Sequence, residues 1–193
     1  VYYSVLVTTS FVCISILFVY YYYYYKTTRL KKSGDIFNKP ISIIICAKNE
    51  EQNLKNNLPS IFSQNYAEFE VVVVNDQSTD NTKSVLKHLQ LSYSNLKIVN
   101  IEDHINHKEG KKFALTLGIK TAKHEYLLLT DADCMPVSKN WIKKITRNYV
   151  SSDIILGYGG YKKSSIFLNK LIRYDTFKVA QQYLSYALTG NPY

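Results

Sequence analysis

Cysteine is scarce in this chain: Cys13, Cys46 and Cys134 are the three present, and no two are spaced as a pair. An odd, unpatterned set excludes a disulfide framework and a cysteine zinc site, and it suits a reducing compartment. Charge is absent from residues 1–25, VYYSVLVTTSFVCISILFVYYYYYY. A basic leader and a small-residue cleavage site are missing there too, which argues against a cleaved signal peptide. An uncharged apolar run of this length predicts a helix that crosses a bilayer rather than a buried core helix. Internal repeats are lacking, and the run Tyr20 to Tyr25 is the one low-complexity segment. Tyrosine is a poor residue for the lipid core, so the run reads as an aromatic belt at one interface.

The C-terminal flank of the span is basic, with Lys26, Arg29, Lys31 and Lys32. A one-sided basic flank predicts that the rest of the chain lies in the cytoplasm. These four belong to a formal net charge of +9, and the remainder of the chain stays basic without them. That balance suits a domain lying against an anionic leaflet or holding a phosphorylated ligand. The other basic residues are scattered and carry no nucleic-acid-binding signature, so nucleic acid is not an expected partner.

Residues 26–39 read as a linker punctuated by Gly34, with Pro40 at its end. Strands and helices then alternate. ISIIIC (41–46), EVVVVN (70–75), LKIVNI (96–101), YLLLT (126–130) and DIILG (153–157) are apolar runs that predict buried strands. Between them, Leu54, Leu58, Ile61 and Phe62 mark one helix face, with Pro59 inside it as an expected kink or early break. Val85, Leu86 and Leu89 mark a second helix, opened by the cluster at 78–80. Phe113, Ala114, Leu117 and Ala122 mark a third. A fourth carries Trp141, Ile142, Ile145 and Tyr149, with Ser138 as its expected cap. Such alternation implies right-handed crossovers and a mainly parallel sheet with helices on both faces. A last helical pattern, 164–188, bears Phe167, Leu168, Leu171, Ile172, Phe177, Ala180, Leu184 and Leu188 among Lys163, Lys170, Arg173 and Lys178. It reads either as a core-facing stripe or as a helix at a membrane surface.

Polar groups gather at the predicted strand ends. AKNEE (47–51) follows the first strand, Asp76 the second and Asp131-Ala132-Asp133 the fourth, while Gly110, Lys111 and Lys112 precede a helix. In a parallel sheet the carboxyl ends share one edge, where ligands bind. Two aspartates on such a loop can hold a hard divalent cation, and the cation can neutralise a diphosphate. A lysine at a helix start can meet a phosphate, and a carboxylate at Asp76 can accept hydrogen bonds from a base or ribose. Singly these residues also suit turns, caps and solvated faces. His104 and His107, three apart, lack further ligands nearby and are expected to be loop residues.

Four blocks taken in order, PISIIICAKNEE (40–51), EVVVVNDQSTDNT (70–82), EGKKFALTLGI (109–119) and YLLLTDADC (126–134), resemble the family 2 nucleotide-sugar glycosyltransferases with the GT-A fold. The resemblance covers roughly residues 40–160. It implies a Rossmann-like GT-A domain over 40–193, preceded by one transmembrane helix. It implies that Ala47, Asn49 and Glu50 line the nucleotide pocket, that Asp76 contacts the base, with uracil suggested, and that Lys111 lies near the nucleotide. Asp131 and Asp133 match the D-x-D that binds ribose and a metal-diphosphate, with Mg²⁺ or Mn²⁺ as the metal. The family commonly has two acids where this chain has Asn75-Asp76. The implied reaction is inverting transfer from a nucleoside diphosphate sugar to a lipid-linked or polysaccharide acceptor. A nucleotidyltransferase would want a glycine-rich phosphate loop after the first strand, and AKNEE has none. A non-catalytic nucleotide-sugar-binding protein is the remaining alternative.

Such enzymes take a general base from a later segment beside the acceptor. Asp153 and Asp175 are the acids after Cys134, and neither sits in a matching motif. The base is therefore expected beyond Tyr193. The start at Val1 and the close at TGNPY lead to the expectation of further sequence on both sides.

Overall fold

The computed structural model describes residues 2–28, 37–102, 110–150 and 152–192. His104, His107 and Glu109 lie outside the described residues, as do Arg29, Lys31, Lys32 and Gly34 of the expected linker. The chain divides into two compact units, Gly34–Ile155 and Val1–Ser33 together with Leu156–Tyr193.

In the first of these, β1 (Ile41–Ala47), β2 (Phe69–Asp76), β3 (Leu96–Ile101) and β4 (Tyr126–Asp131) form one sheet in the order β3-β2-β1-β4. Every pairing is parallel: Ile44 faces Val72 on one side and Leu129 on the other, and Val74 faces Val99. The crossovers are α2 (Glu51–Phe62), α3 (Thr82–Ser92) and α4 (Lys111–Thr121). Alternation along the strands sorts the β-branched residues into two cores. Ile41, Ile43, Ile45, Val71 and Val73 pack with Leu54, Leu58, Ile61 and Leu86, and with Ile142 from α5 (Trp141–Thr146). Val72, Val74 and Ile101 pack with Ala114 of α4. Helices therefore cover both faces, as the pattern predicts.

Gly118 decides how close α4 sits to the sheet. A Cβ there would lie 2.6 Å from Ile44 Cγ2 and 3.0 Å from Val74 Cγ2, so the helix backbone rests directly on two strand methyls. Phe37, inside the expected linker, belongs to the core: it is 9% exposed and packs on Tyr126 and Tyr149, with ring centroids 4.8 and 5.3 Å away.

Several local expectations are corrected. DIILG (153–157) is not a strand. β4 is the edge strand and pairs only with β1 among the described residues, Ile154 is 79% exposed, and the boundary between the units falls after Ile155. Strand propensity without a ladder partner leaves irregular chain. Pro59 does not end α2, because Leu58 and Ile61 on either side are each 1% exposed and their burial holds the last turn. Ala122 is the C-cap of α4 and stands outside it. Ser138 does not cap α5 through its hydroxyl. Instead Gln64 Oε1 accepts from the N–H groups of Trp141 and Ile142 at 2.9 and 3.3 Å, while its Nε2 donates to the Ser138 carbonyl at 2.9 Å. Arg147–Val150 continues α5 as a 3₁₀ turn.

The second unit holds α1 (Tyr2–Thr28) and α6 (Phe167–Leu188). Tyr2–Tyr25 has a mean hydropathy of 2.0 and none of it is buried, so this helix is long and apolar enough to cross a membrane. Within the belt, Tyr21 stacks on Tyr25 at 4.9 Å and Tyr23 on Tyr186 of α6 at 4.7 Å. The core-facing reading of 164–188 describes only the second half of α6. Ala180 and Ser185 are buried, whereas Phe167, Leu168, Leu171 and Phe177 are exposed.

Candidate functional site

All four strands run parallel, so their carboxyl ends share one edge. A cleft of about 440 Å³ opens there, lined by Cys46, Ala47, Lys48, Glu50, Asp76, Gly110, Lys111, Asp131, Ala132 and Asp133. Six of the seven expected site residues thus meet at one place, drawn from the ends of β1, β2 and β4, the loops that follow β1 and β4, and the start of α4.

The pair Asp131 and Asp133 owes its outward aim to the residue between them. Ala132 is 4% exposed and tucked into the core, so its two neighbours project from the surface. The turn is closed by Cys134 N–H donating to the Asp131 carbonyl at 3.1 Å. Asn57 of α2 donates to the Ala132 carbonyl at 3.0 Å and ties the loop to the helix behind it. Sequence reasoning missed Asn57: as a polar residue within the α2 pattern, it gives no local signal of this partner.

Lys111 is the first residue of α4. Its Nζ lies 2.6 Å from Asp131 Oδ1, with the two side chains 69% and 56% exposed. The hydrogen bond to Asp131 holds the ammonium above the usual lysine range. Gly110 precedes it with φ +124° and no heavy atom near a notional Cβ, so glycine is required there by backbone conformation rather than space. Cys46, half-buried in the cleft wall, has its thiol pushed up by burial, which outweighs the nearby Lys111 ammonium. Burial likewise raises the Cys134 thiol, which sits 3.6 Å from Asp133 Oδ1. Both thiols are neutral at physiological pH.

Asp76 ends β2, 9% exposed, with its side chain at the cleft. Asn75 before it is 4% exposed and donates to Asn100 Oδ1 at 3.0 Å; its own Oδ1 has no partner among the described residues. A neutral amide avoids the cost that a second buried carboxylate would carry at this position.

Asn49 is the exception among the expected site residues. It takes φ 57°, a left-handed conformation that asparagine tolerates. Its Oδ1 accepts from the Thr79 N–H at 2.8 Å and its N–H donates to Ser78 Oγ at 2.9 Å. Beside it, the Glu50 N–H donates to Thr82 Oγ1 at 3.0 Å, and the Glu51 N–H to Asp80 Oδ2 at 3.2 Å. Asn49 thus clasps the loop after β2 to the loop after β1, beside a second cavity of about 320 Å³ formed with Glu50, Glu51, Gln52, Asn53 and Asp80.

No group of three or more His, Cys, Asp or Glu residues with metal-holding geometry occurs among the described residues. Of the four carboxylates that line the cleft, Asp131 and Asp133 share one exposed loop and offer hard oxygen ligands suited to a divalent cation that keeps water or phosphate oxygens as its other ligands. Asp131 and Asp133 fit that role, and the neutral thiol of Cys134 does not compete for it.

The sequence profile of glycosyl transferase family 2 matches residues 42–186. An uncharacterized glycosyltransferase of Haemophilus influenzae is 28% identical over 152 residues, 79% of this chain and 44% of that protein. A poly-beta-1,6-N-acetyl-D-glucosamine synthase of Staphylococcus epidermidis is 36% identical over 93 residues, 48% of this chain and 21% of that protein. The chain spans less than half the length of these relatives. Among solved structures, a mannosyltransferase from Pyrobaculum calidifontis, in complex with GDP-Man and Mn²⁺, superposes with a TM-score of 0.62. It is 21% identical and covers 84% of this chain and 46% of its own, a likeness of fold.

Proposed function

Because the chain belongs to glycosyl transferase family 2, we propose that its cleft binds a nucleoside diphosphate sugar, a UDP-sugar foremost, for transfer to a lipid-linked or membrane-proximal polysaccharide acceptor. The observation that carries this reading is the meeting of Asp76, Lys111, Asp131 and Asp133 on one cleft at the carboxyl edge of the sheet. Asp76 accepts hydrogen bonds from the base, with Ala47 beside it leaving room for the ring. Glu50 borders the base end. Lys111, at the open N-terminus of α4, meets the diphosphate together with the free amides there. Asp131 and Asp133 hold Mg²⁺ or Mn²⁺, which when bound neutralises charge on the leaving diphosphate. Transfer inverts the anomeric carbon. Asp153 does not line the cleft.

On the same reading the protein sits in the cell membrane through α1, with the cleft in the cytoplasm, where nucleotide sugars are found. Support comes from the length and composition of α1 and the basic flank from Lys26 to Lys32.

Titration calorimetry of the full chain in detergent micelles tests the site. UDP binding should require Mg²⁺ or Mn²⁺ and exceed GDP binding. Asp133→Ala should weaken UDP binding tenfold or more, about 1.4 kcal/mol, and abolish its dependence on metal. Unchanged metal-dependent affinity in Asp133→Ala would refute the assignment, and preference for GDP would reassign the base.

A further inference from the structure

We propose that Lys111 is a built-in counter-ion that occupies Asp131 in place of the divalent cation until a diphosphate draws it away, so that cation and nucleotide bind as a coupled pair. The inference rests on the reading of the cleft as a nucleoside diphosphate site. Its observation is the short contact between Lys111 Nζ and Asp131 Oδ1, 2.6 Å. The Asp131 backbone is held: it ends β4 in register with Cys46, and its carbonyl accepts from Cys134 N–H. Of the two side chains the carboxylate has the short reach, so the lysine is the partner that moves away.

Lysine is suited to moving. Its ammonium rides on a flexible four-carbon stem, and the pair is largely solvent-exposed. Exposed pairs are held weakly, so breaking this one costs little. A divalent cation arriving alone meets a carboxylate already neutralised by a monovalent one, and the two cations repel at contact distance. A diphosphate changes the balance, because its oxygens accept the ammonium from α4 and complete the shell of a cation on Asp131 and Asp133. The ammonium then bonds to phosphate rather than carboxylate, and no charge is left unpaired. Lys111 acts in this scheme as a gate on cation binding as well as a diphosphate ligand.

Electron paramagnetic resonance of free Mn²⁺ measures cation binding to the full chain in micelles without nucleotide. Lys111→Gln, exposed and therefore compatible with the fold, should bind Mn²⁺ alone about threefold more tightly than the parent chain at low ionic strength. Lys111→Arg keeps the charge and should match the parent. Adding Asp131→Asn to Lys111→Gln should erase the gain. UDP should tighten Mn²⁺ binding in the parent more than in Lys111→Gln. Equal or weaker Mn²⁺ binding by Lys111→Gln overturns the counter-ion. If UDP still binds the parent with Mn²⁺ in that case, the cleft reading stands; if UDP fails to bind at any Mn²⁺ concentration, both fall.

Discussion

Gly118→Ala adds one methyl group where α4 meets the sheet, and its cost can be worked from two distances. The new Cβ would lie 2.6 Å from Ile44 Cγ2 and 3.0 Å from Val74 Cγ2, closer than real side chains approach. Neither neighbour can yield easily. Ile44 and Val74 are 1% and 0% exposed, both are β-branched, and each is held in a parallel ladder. Overpacking of this kind costs about 1–3 kcal/mol. Alanine returns roughly 0.5–1 kcal/mol through its better helix propensity. The net expectation is destabilisation by about 0–2.5 kcal/mol, centred a little above 1, a fall of roughly 0.5–1 M in urea midpoint for a typical slope. Trp141, the single tryptophan, packs against the core and reports the transition by fluorescence. Ile44→Leu removes the offending Cγ2 branch, so in that background Gly118→Ala should cost at least about 1 kcal/mol less. Gly118→Ala that is as stable as the parent, with no coupling to Ile44→Leu, would refute the close approach of α4. The spacing matters to function because α4 carries Lys111 to Asp131.

Cys46 lines the cleft with a thiol raised by burial. Its alkylation, followed by peptide mass spectrometry, should be slow at pH 7, rise toward pH 10, and be suppressed by UDP with Mg²⁺. Equal labelling with and without nucleotide would place the ligand elsewhere. Asp80 is held below the usual carboxylate range by the Thr82 hydroxyl first, then by the Thr82 and Glu51 N–H groups. A depressed folded pKa adds stability that is fully present above the unfolded value of about 3.9 and is lost as pH falls through the folded value. The urea midpoint of Asp80→Asn should therefore lie below the parent's from pH 8 to 5, and the gap should narrow steadily as pH falls below about 3.9. A gap of constant size from pH 7 down to pH 2 would show that the carboxylate charge is not what the clasp uses.

The four strand segments, their parallel arrangement and the shared edge were legible in sequence because each is an apolar run that states its burial by itself, and the runs alternate with helical patterns. Asp76, Lys111, Asp131 and Asp133 were legible for the same reason: strand ends and a helix start are local signals, and parallel topology brings them together. Tertiary structure alone decided matters that depend on a partner distant in the chain. DIILG has the composition of a strand, but a strand exists only where it pairs with a neighbour, and DIILG does not take up the open edge of β4. Gln64 caps α5 from 77 residues away, and Asn57 fastens Ala132 from 75; neither carries a local pattern. Asn49 lies in the block that suggests a nucleotide contact, and only the structure shows that its Oδ1 also ties the loop at 78–80 to the loop after β1. Gly118 reads as an ordinary helix residue until the strand methyls beneath it are seen. Composition and periodicity act over a few residues and set which elements form. Side-chain pairing acts across the fold, and it determined which polar groups remain free to meet a ligand.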